Sequence, residues 1–195
     1  MRQFLLAAAL SFSFLIINAQ NITLDKVNQD GSRIISTDGY IVKTKFTDRN
    51  PLIYSLKSYV TTEGSTIFYL CISISSMKSY TIPQNGILLI KTCKDDVIEC
   101  KQLAESYKTE DIIGTYIPLI NQSIHVSNAI YPISESDLEL VIKDGIKKVR
   151  LETEFQNIDS EYNSNKSILL KEKMETMFNL LHNALKTKKD IRDGF

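Results

Sequence analysis

Apolar residues recur at every second position through the first half of the chain and at intervals of three and four in its last third, so strands are expected first and helix later. Arg33–Thr37 and Tyr40–Phe46 flank Asp38 and Gly39. Both of those residues tolerate positive φ, and the pattern predicts a hairpin closed by a two-residue type I′ turn. Leu52–Thr61 and Thr66–Ser75 flank Glu63 and Gly64 in the same way. With those two residues as the loop, Tyr59 faces Phe68, Lys57 faces Leu70 and Ile53 faces Ile74. Val60 then meets Ile67, and Leu56 meets Cys71, on the other face. Both faces are apolar, which predicts a central hairpin covered on two sides.

A third hairpin is expected from Ile87–Cys93 and Val97–Leu103 around Asp95 and Asp96. That turn sets Cys93 opposite Ile98 and Lys91 opposite Cys100. The two cysteines then lie diagonally on one face at ~7 Å, the limit of disulfide reach. A small register change or bulge would bring Cys93 and Cys100 within range, so this pairing is the candidate disulfide. Residues 105–122 show no period, and Ile117 precedes Pro118, which favours extended backbone there. A connection this long in a compact domain is the first place to seek a site. Ser123–Ile133 reads as another strand.

The last third changes period. Ser134 to Asp137 resembles a capping box, and a short amphipathic helix through Leu138–Ile142 should stop near Gly145. Ile146–Phe155 follows as a strand with Val149, Leu151, Thr153 and Phe155 on one side and Lys148, Arg150, Glu152 and Glu154 on the other. Residues 157–166 read as a polar loop. Asn165–Lys188 carries Leu170, Met174, Met177, Leu181 and Ala184 on one stripe, widened by Phe178 and Leu185, and is expected to be a long helix docked on the sheet. Glu172 and Glu175 toward its start and Lys186, Lys188 and Lys189 toward its end suit the helix dipole. The expected fold is therefore α+β: a curved, mainly antiparallel sheet built from hairpins, with a short helix and a long C-terminal helix packed on it.

The first residues change the setting. Arg2, an apolar run over Leu5–Ile17 and Ala19 make up the three parts of a secretory signal. Residues 1–19 are expected to be a signal peptide cleaved after Ala19 or Gln20, and residues 20–195 a single domain. The apolar core falls short of the ~20 residues of a membrane-spanning helix. No cysteine lies near the cleavage point, which argues against a lipid anchor. The product should be exported, periplasmic or extracellular, and soluble without stable membrane insertion.

Composition fits a globular chain of 195 residues, 43% hydrophobic and 24% charged. Lysines and arginines number 23, as do aspartates and glutamates; loss of the leader removes Arg2 and no acid. That balance argues against a nucleic-acid binder and against a cationic membrane-surface protein.

Catalytic chemistry has little material. There are two histidines, His125 on a predicted strand and His182 beside the packed stripe of the long helix. Cys71 sits in an apolar strand and reads as a buried small hydrophobe. The hydrolase nucleophile elbow, the paired-histidine zinc helix, the phosphate loop and the dinucleotide fingerprint are all missing. The three cysteines and two histidines are too scattered for a zinc set, and no cofactor is expected. Asp95-Asp96, Glu110-Asp111 and the Glu135, Asp137 and Glu139 group read as turn, loop and helix surface rather than as the carboxylate pair of a glycosidase. Lys147, Lys148 and Arg150 read as a solvated strand face. No catalytic or metal residue is nominated, and binding residues remain unassigned.

Gly86–Thr92 (GILLIKT) with Asp95–Glu99 (DDVIE), Tyr131–Leu138 (YPISESDL) with Gly145–Glu152 (GIKKVRLE), and the leader ending Asn18, Ala19, Gln20 resemble small exported proteins of Gram-negative bacteria. In those, the first hairpin more often turns on Asp-Gly, where this chain has Asp96. The likeness covers about a third of the chain and implies a periplasmic or surface setting, with no activity to carry over. The leading expectation is an exported non-catalytic protein that binds a small molecule or a protein partner. A small hydrolase with a Cys–His or paired-carboxylate site, and a structural component of the cell envelope, are the alternatives.

Overall fold

The computed structural model describes residues 20–42, 51–76, 78–104, 107–111 and 124–187, with backbone only at 107–111 and 124. The proposed leader and most of the 105–122 connection lie outside the described residues, as do the end of the strand expected to reach Phe46 and Lys188, the last residue of the expected helix. Strands β1 (Ile22–Val27), β2 (Arg33–Thr37), β3 (Tyr40–Val42), β4 (Leu52–Val60) and β5 (Thr66–Ser76) come first. β6 (Ile87–Thr92), β7 (Val97–Lys101), β8 (Tyr107–Asp111) and β9 (Ile124–Ile133) follow, then helix α1 (Glu135–Asp144), β10 (Ile146–Glu152), β11 (Asn157–Glu161) and helix α2 (Ser164–Lys186). The fold is α+β, as the periodicity predicts, but the strands form two antiparallel sheets. One has seven strands in the order β1-β2-β4-β5-β9-β8, with β3 also paired to β4; the other runs β11-β10-β6-β7.

Turn chemistry explains where the expected registers fail. Asn28–Ser32, Thr61–Ser65 and Thr92–Asp96 share one turn. In each, the fourth residue donates its N–H to the first carbonyl (3.0, 2.9 and 3.1 Å), and the first N–H donates to the fifth carbonyl. The fourth residue has positive φ: Gly31 at 85°, Gly64 at 86° and Asp95 at 71°. This is a type I turn closed by a left-handed residue, a three-residue loop rather than a two-residue one. β4 and β5 are therefore one residue out of the expected register, with Tyr59 opposite Ile67, Lys57 opposite Tyr69 and Ile53 opposite Ser73. In the third hairpin Ile98 faces Ile90 and Cys100 faces Leu88.

Asp38 and Gly39 do not turn a hairpin. β2 and β3 both run along the same edge of β4, Ser36 opposite Lys57 and Tyr40 opposite Tyr54, so three residues stand against two in a bulge. Thr37 Oγ1 takes the place of the lost ladder there, accepting from Leu56 N at 3.1 Å and donating to Leu56 O at 3.3 Å. Gly39 is needed for space: a Cβ would stand 2.6 Å from Ile53 Cγ2. Two further expectations are corrected. β10 ends at Glu152 and leaves Phe155 77% exposed. The polar stretch after it is strand β11, held by opposite charges across the ladder, Arg150 against Asp159 and Lys148 against Glu161.

Both helices start as their sequences predict. Ser134 caps α1 through Asp137 N, and Asn163 Oδ1 accepts from Lys166 N at the head of α2. Leu170, Met174, Met177 and Leu181 are wholly buried between the two sheets. Phe178 meets Phe68 of β5, and the hydroxyls of Tyr54 and Tyr162 join at 2.6 Å within the core. The C-terminal end of α2 is held by Arg33. Its guanidinium clasps both carboxylate oxygens of Asp25 at 2.8 and 2.9 Å and donates to Thr187 O and Ala184 O at 2.7 and 3.1 Å. Arg33→Met leaves Asp25 unpaired and those carbonyls bare, and should cost about 2–4 kcal/mol. Arg33→Lys should cost less, since charge is kept and the fork is lost. Urea unfolding at constant slope measures both; a loss below about 0.5 kcal/mol for Met would show that the clamp does not hold the helix.

Candidate functional site

Cross-strand registry sorts each sheet into two faces. On the seven-stranded sheet Leu52, Tyr54 and Leu56 share the buried face with Leu70, Ile72 and Ile74, Ala129, Tyr131 and Ile133. Everything described that packs on this sheet does so here: Phe178 against Phe68, Tyr162 against Tyr54, and Arg33 against the end of α2. The opposite face has no described element over it. Its rows read across the strands as Lys26–Ile34–Tyr59–Ile67, then Leu24–Ser36–Lys57–Tyr69–Pro132, then Ser55–Cys71–Ile130. Ile41–Ile53–Ser73–Asn128 and Ser75–Val126 continue it, with Ser73 Oγ donating to Asn128 Oδ1 at 2.6 Å.

Leu24, Ile41 and Ile67 are 42%, 45% and 39% exposed on this face. Ile34, Ile53, Tyr59, Tyr69 and Ile130 are half-buried. Among the described side chains the face carries two cations, Lys26 and Lys57, and no carboxylate. The four-stranded sheet is the contrast. Its outward rows carry both signs, Asp159–Arg150–Leu89–Glu99 and Glu161–Lys148–Lys91–Val97. Arg150 reaches Asp159 at 2.7 Å, and Lys148 reaches it at 3.1 Å. One chain thus presents a charged, self-paired sheet face and an apolar, nearly uncharged one. Soluble surfaces seldom leave a continuous apolar area of several hundred Å² without use.

Among the described residues the three cysteines are not brought to either histidine, and each histidine is set beside one acid. Cys71 belongs to the open face and is 7% exposed; burial pushes its thiol up to about 11, against the pull of Lys57 and Ser55. Cys100 lies inside, near Tyr131, and burial raises it to about 11 as well. His125 stands at the far end of β9 from Tyr131, six residues or about 20 Å along the strand, opposite Ser76 and Glu110. His182 packs on Phe178 and Phe68 and meets Glu135 at 3.2 Å. Asp137 closes the cap of α1, with Ser134 Oγ 2.6 Å from its carboxylate. Asp95 is held between Lys91 and Lys147 at 2.9 Å each. Among the described residues no three metal-ligating side chains gather, and no helix is long and apolar enough to cross a membrane.

Cys93 and Cys100 are not bridged. The three-residue turn places Cys93 in the loop, exposed, with its Sγ 2.9 Å from Ser167 Oγ, while Cys100 points into the core. Comparison with protein-family models, with curated proteins and with solved structures finds no match to this chain.

Two measurements check this placement. A thiol-disulfide reagent should titrate one cysteine in the native chain, Cys93, and three in denaturant; a total of one after denaturation would reveal a bridge between the other two. The second concerns Asp95, whose carboxyl is lowered from 3.8 to about 2, first by Lys91 and then by Lys147. Its folded value lies below its unfolded one, so the pairing supports the fold above 3.8 and is lost as pH falls toward about 2. Carboxyl NMR should place the Asp95 midpoint near 2, and a Lys91→Met/Lys147→Met double variant should return it toward 3.8. An unmoved midpoint would remove the two lysines as its cause.

Proposed function

We propose that this chain is an exported, non-catalytic binding protein that holds a partner on the open face of its seven-stranded sheet. The observation that carries the reading is the difference between the two outward sheet faces. Both are solvent-facing sheet surfaces of one small domain, yet one is filled with mutually paired charges and the other with isoleucine, tyrosine and leucine around two lysines. An ordinary solvated face would look like the first. The apolar leader with Ala19 at its exit, and the likeness to small exported bacterial proteins, support a periplasmic or extracellular setting.

Binding by such a face needs no titrating group. The test is positional. A photoreactive phenylalanine analogue replaces Tyr69 on the open face or Glu175 on the exposed side of α2, in the native host. Position 69 should yield a discrete adduct heavier than the monomer, lost when Ile53→Asp is added, and position 175 should yield none. Mass analysis of the same material should show residues 1–19 removed. Absence of an adduct at 69, or equal adducts at both positions, would overturn the docking role; a retained leader would overturn the exported setting.

A further inference from the structure

We infer that the partner presents an amphipathic helix whose apolar stripe lies on the open sheet face and whose carboxylates meet Lys26 and Lys57. The inference rests on the binding reading above and adds the chemistry of the partner. Size sets the first limit. Five strands, β1, β2, β4, β5 and β9, at ~4.8 Å spacing, and five outward rows at ~6.8 Å, give a face of about 19 by 27 Å. That is below the ~800 Å² each partner contributes to a standard interface, and it suits one helix of about 18 residues rather than a whole domain surface.

Charge sets the second limit. Lys26 and Lys57 pair with no carboxylate among the described residues. Asp25, beside Lys26 in the chain, is held by Arg33 on the covered side, and Asp30 is engaged by Ser32 in the turn beyond. The register of β8 brings Asp111 to the open side opposite Ile124, at the far end of the sheet from both lysines. A second copy docked row on row would bring lysine against lysine, with no carboxylate among the described side chains to offset them. A bilayer surface is a poor match too, since stable electrostatic attachment takes a cluster of four or more cations. An acidic, apolar helix satisfies both limits. Lys26 and Lys57 stand two strands and one row apart, about 12 Å. Two helical turns span about 11 Å, so carboxylates seven residues apart on the partner reach both amines.

The experiment uses the full chain purified after export and two labelled 18-residue helical peptides. They share one leucine stripe and differ in carrying glutamate or lysine at flanking positions seven apart. Fluorescence anisotropy should show the glutamate peptide binding at least tenfold more tightly. Lys26→Glu/Lys57→Glu should invert that order, Lys57→Gln should narrow it, and Ile67→Asp should abolish both, with thermal melts confirming that each variant is folded. Equal affinity for the two peptides, or no change with the charge-reversed variant, overturns the inference. So does binding to phosphatidylglycerol vesicles with none to either peptide, or a concentration-dependent dimer relieved by Lys57→Glu. If the peptides fail while the Tyr69 adduct persists, the partner chemistry falls and the docking face stands; if both fail, the face itself falls.

Discussion

The clasp of Arg33 on Asp25 and on the last carbonyls of α2 is the constraint from which the architecture follows. A 23-residue helix leaves its final carbonyls without partners and its C-terminus partially negative. Arg33 meets Ala184 O and Thr187 O from the sheet, and Asp25 fixes the plane of the guanidinium from the neighbouring strand. Two consecutive strands and a helix end about 150 residues away are thereby set in one orientation. Once α2 lies along that direction, its stripe of leucine and methionine fills the space between the sheets. Phe178 and Tyr162 then reach β5 and β4.

That arrangement also decides which sheet face is left open. Arg33 projects on the same side as Ile35, so the helix, the second sheet and the shared core collect there. The other side of β1 to β9 receives none of them. The four-stranded sheet has only its edge strands and solvent to satisfy, and its outward residues pair with one another. Lys148 and Arg150 share the carboxylate of Asp159 there, which agrees with reading that basic run as a solvated strand face.

Element types were legible where one period held over many residues. α2 shows its stripe over about four turns, and Ser134 with Gly145 marks both ends of α1. β4, β5 and β10 alternate strongly enough to be read directly. Registers were not legible, because they hang on the conformation of single turn residues. Gly64 could serve equally in a two-residue or a three-residue loop, and Asp95 gives no advance sign of a positive φ. Asp38 and Gly39 carry the composition of a hairpin turn but sit in a bulge whose cause, the bonding of Thr37 to Leu56, is a tertiary fact. β11 escaped because Ile158 is its one inward apolar residue, too few to set a period. The candidate site was half visible: the apolar character of both faces of the central hairpin could be read from its residues, whereas which face is covered depends on where α2 docks.

An apolar sheet face costs a chain of this kind more than most. Formal net charge is zero, so no long-range repulsion keeps two molecules apart. Lys26 and Lys57 supply the local substitute: two cations that meet no carboxylate among the described side chains disfavour stacking of like on like while leaving attraction for an acidic surface intact. Neither lysine is required by the strand pattern, since outward positions on β1 and β4 accept any side chain that fits a pleated surface. Had solubility been the only demand, outward pairs of opposite sign like those on β10 and β11 would have met it. Isoleucine and tyrosine around a pair of lysines are the composition that the proposed partner would need.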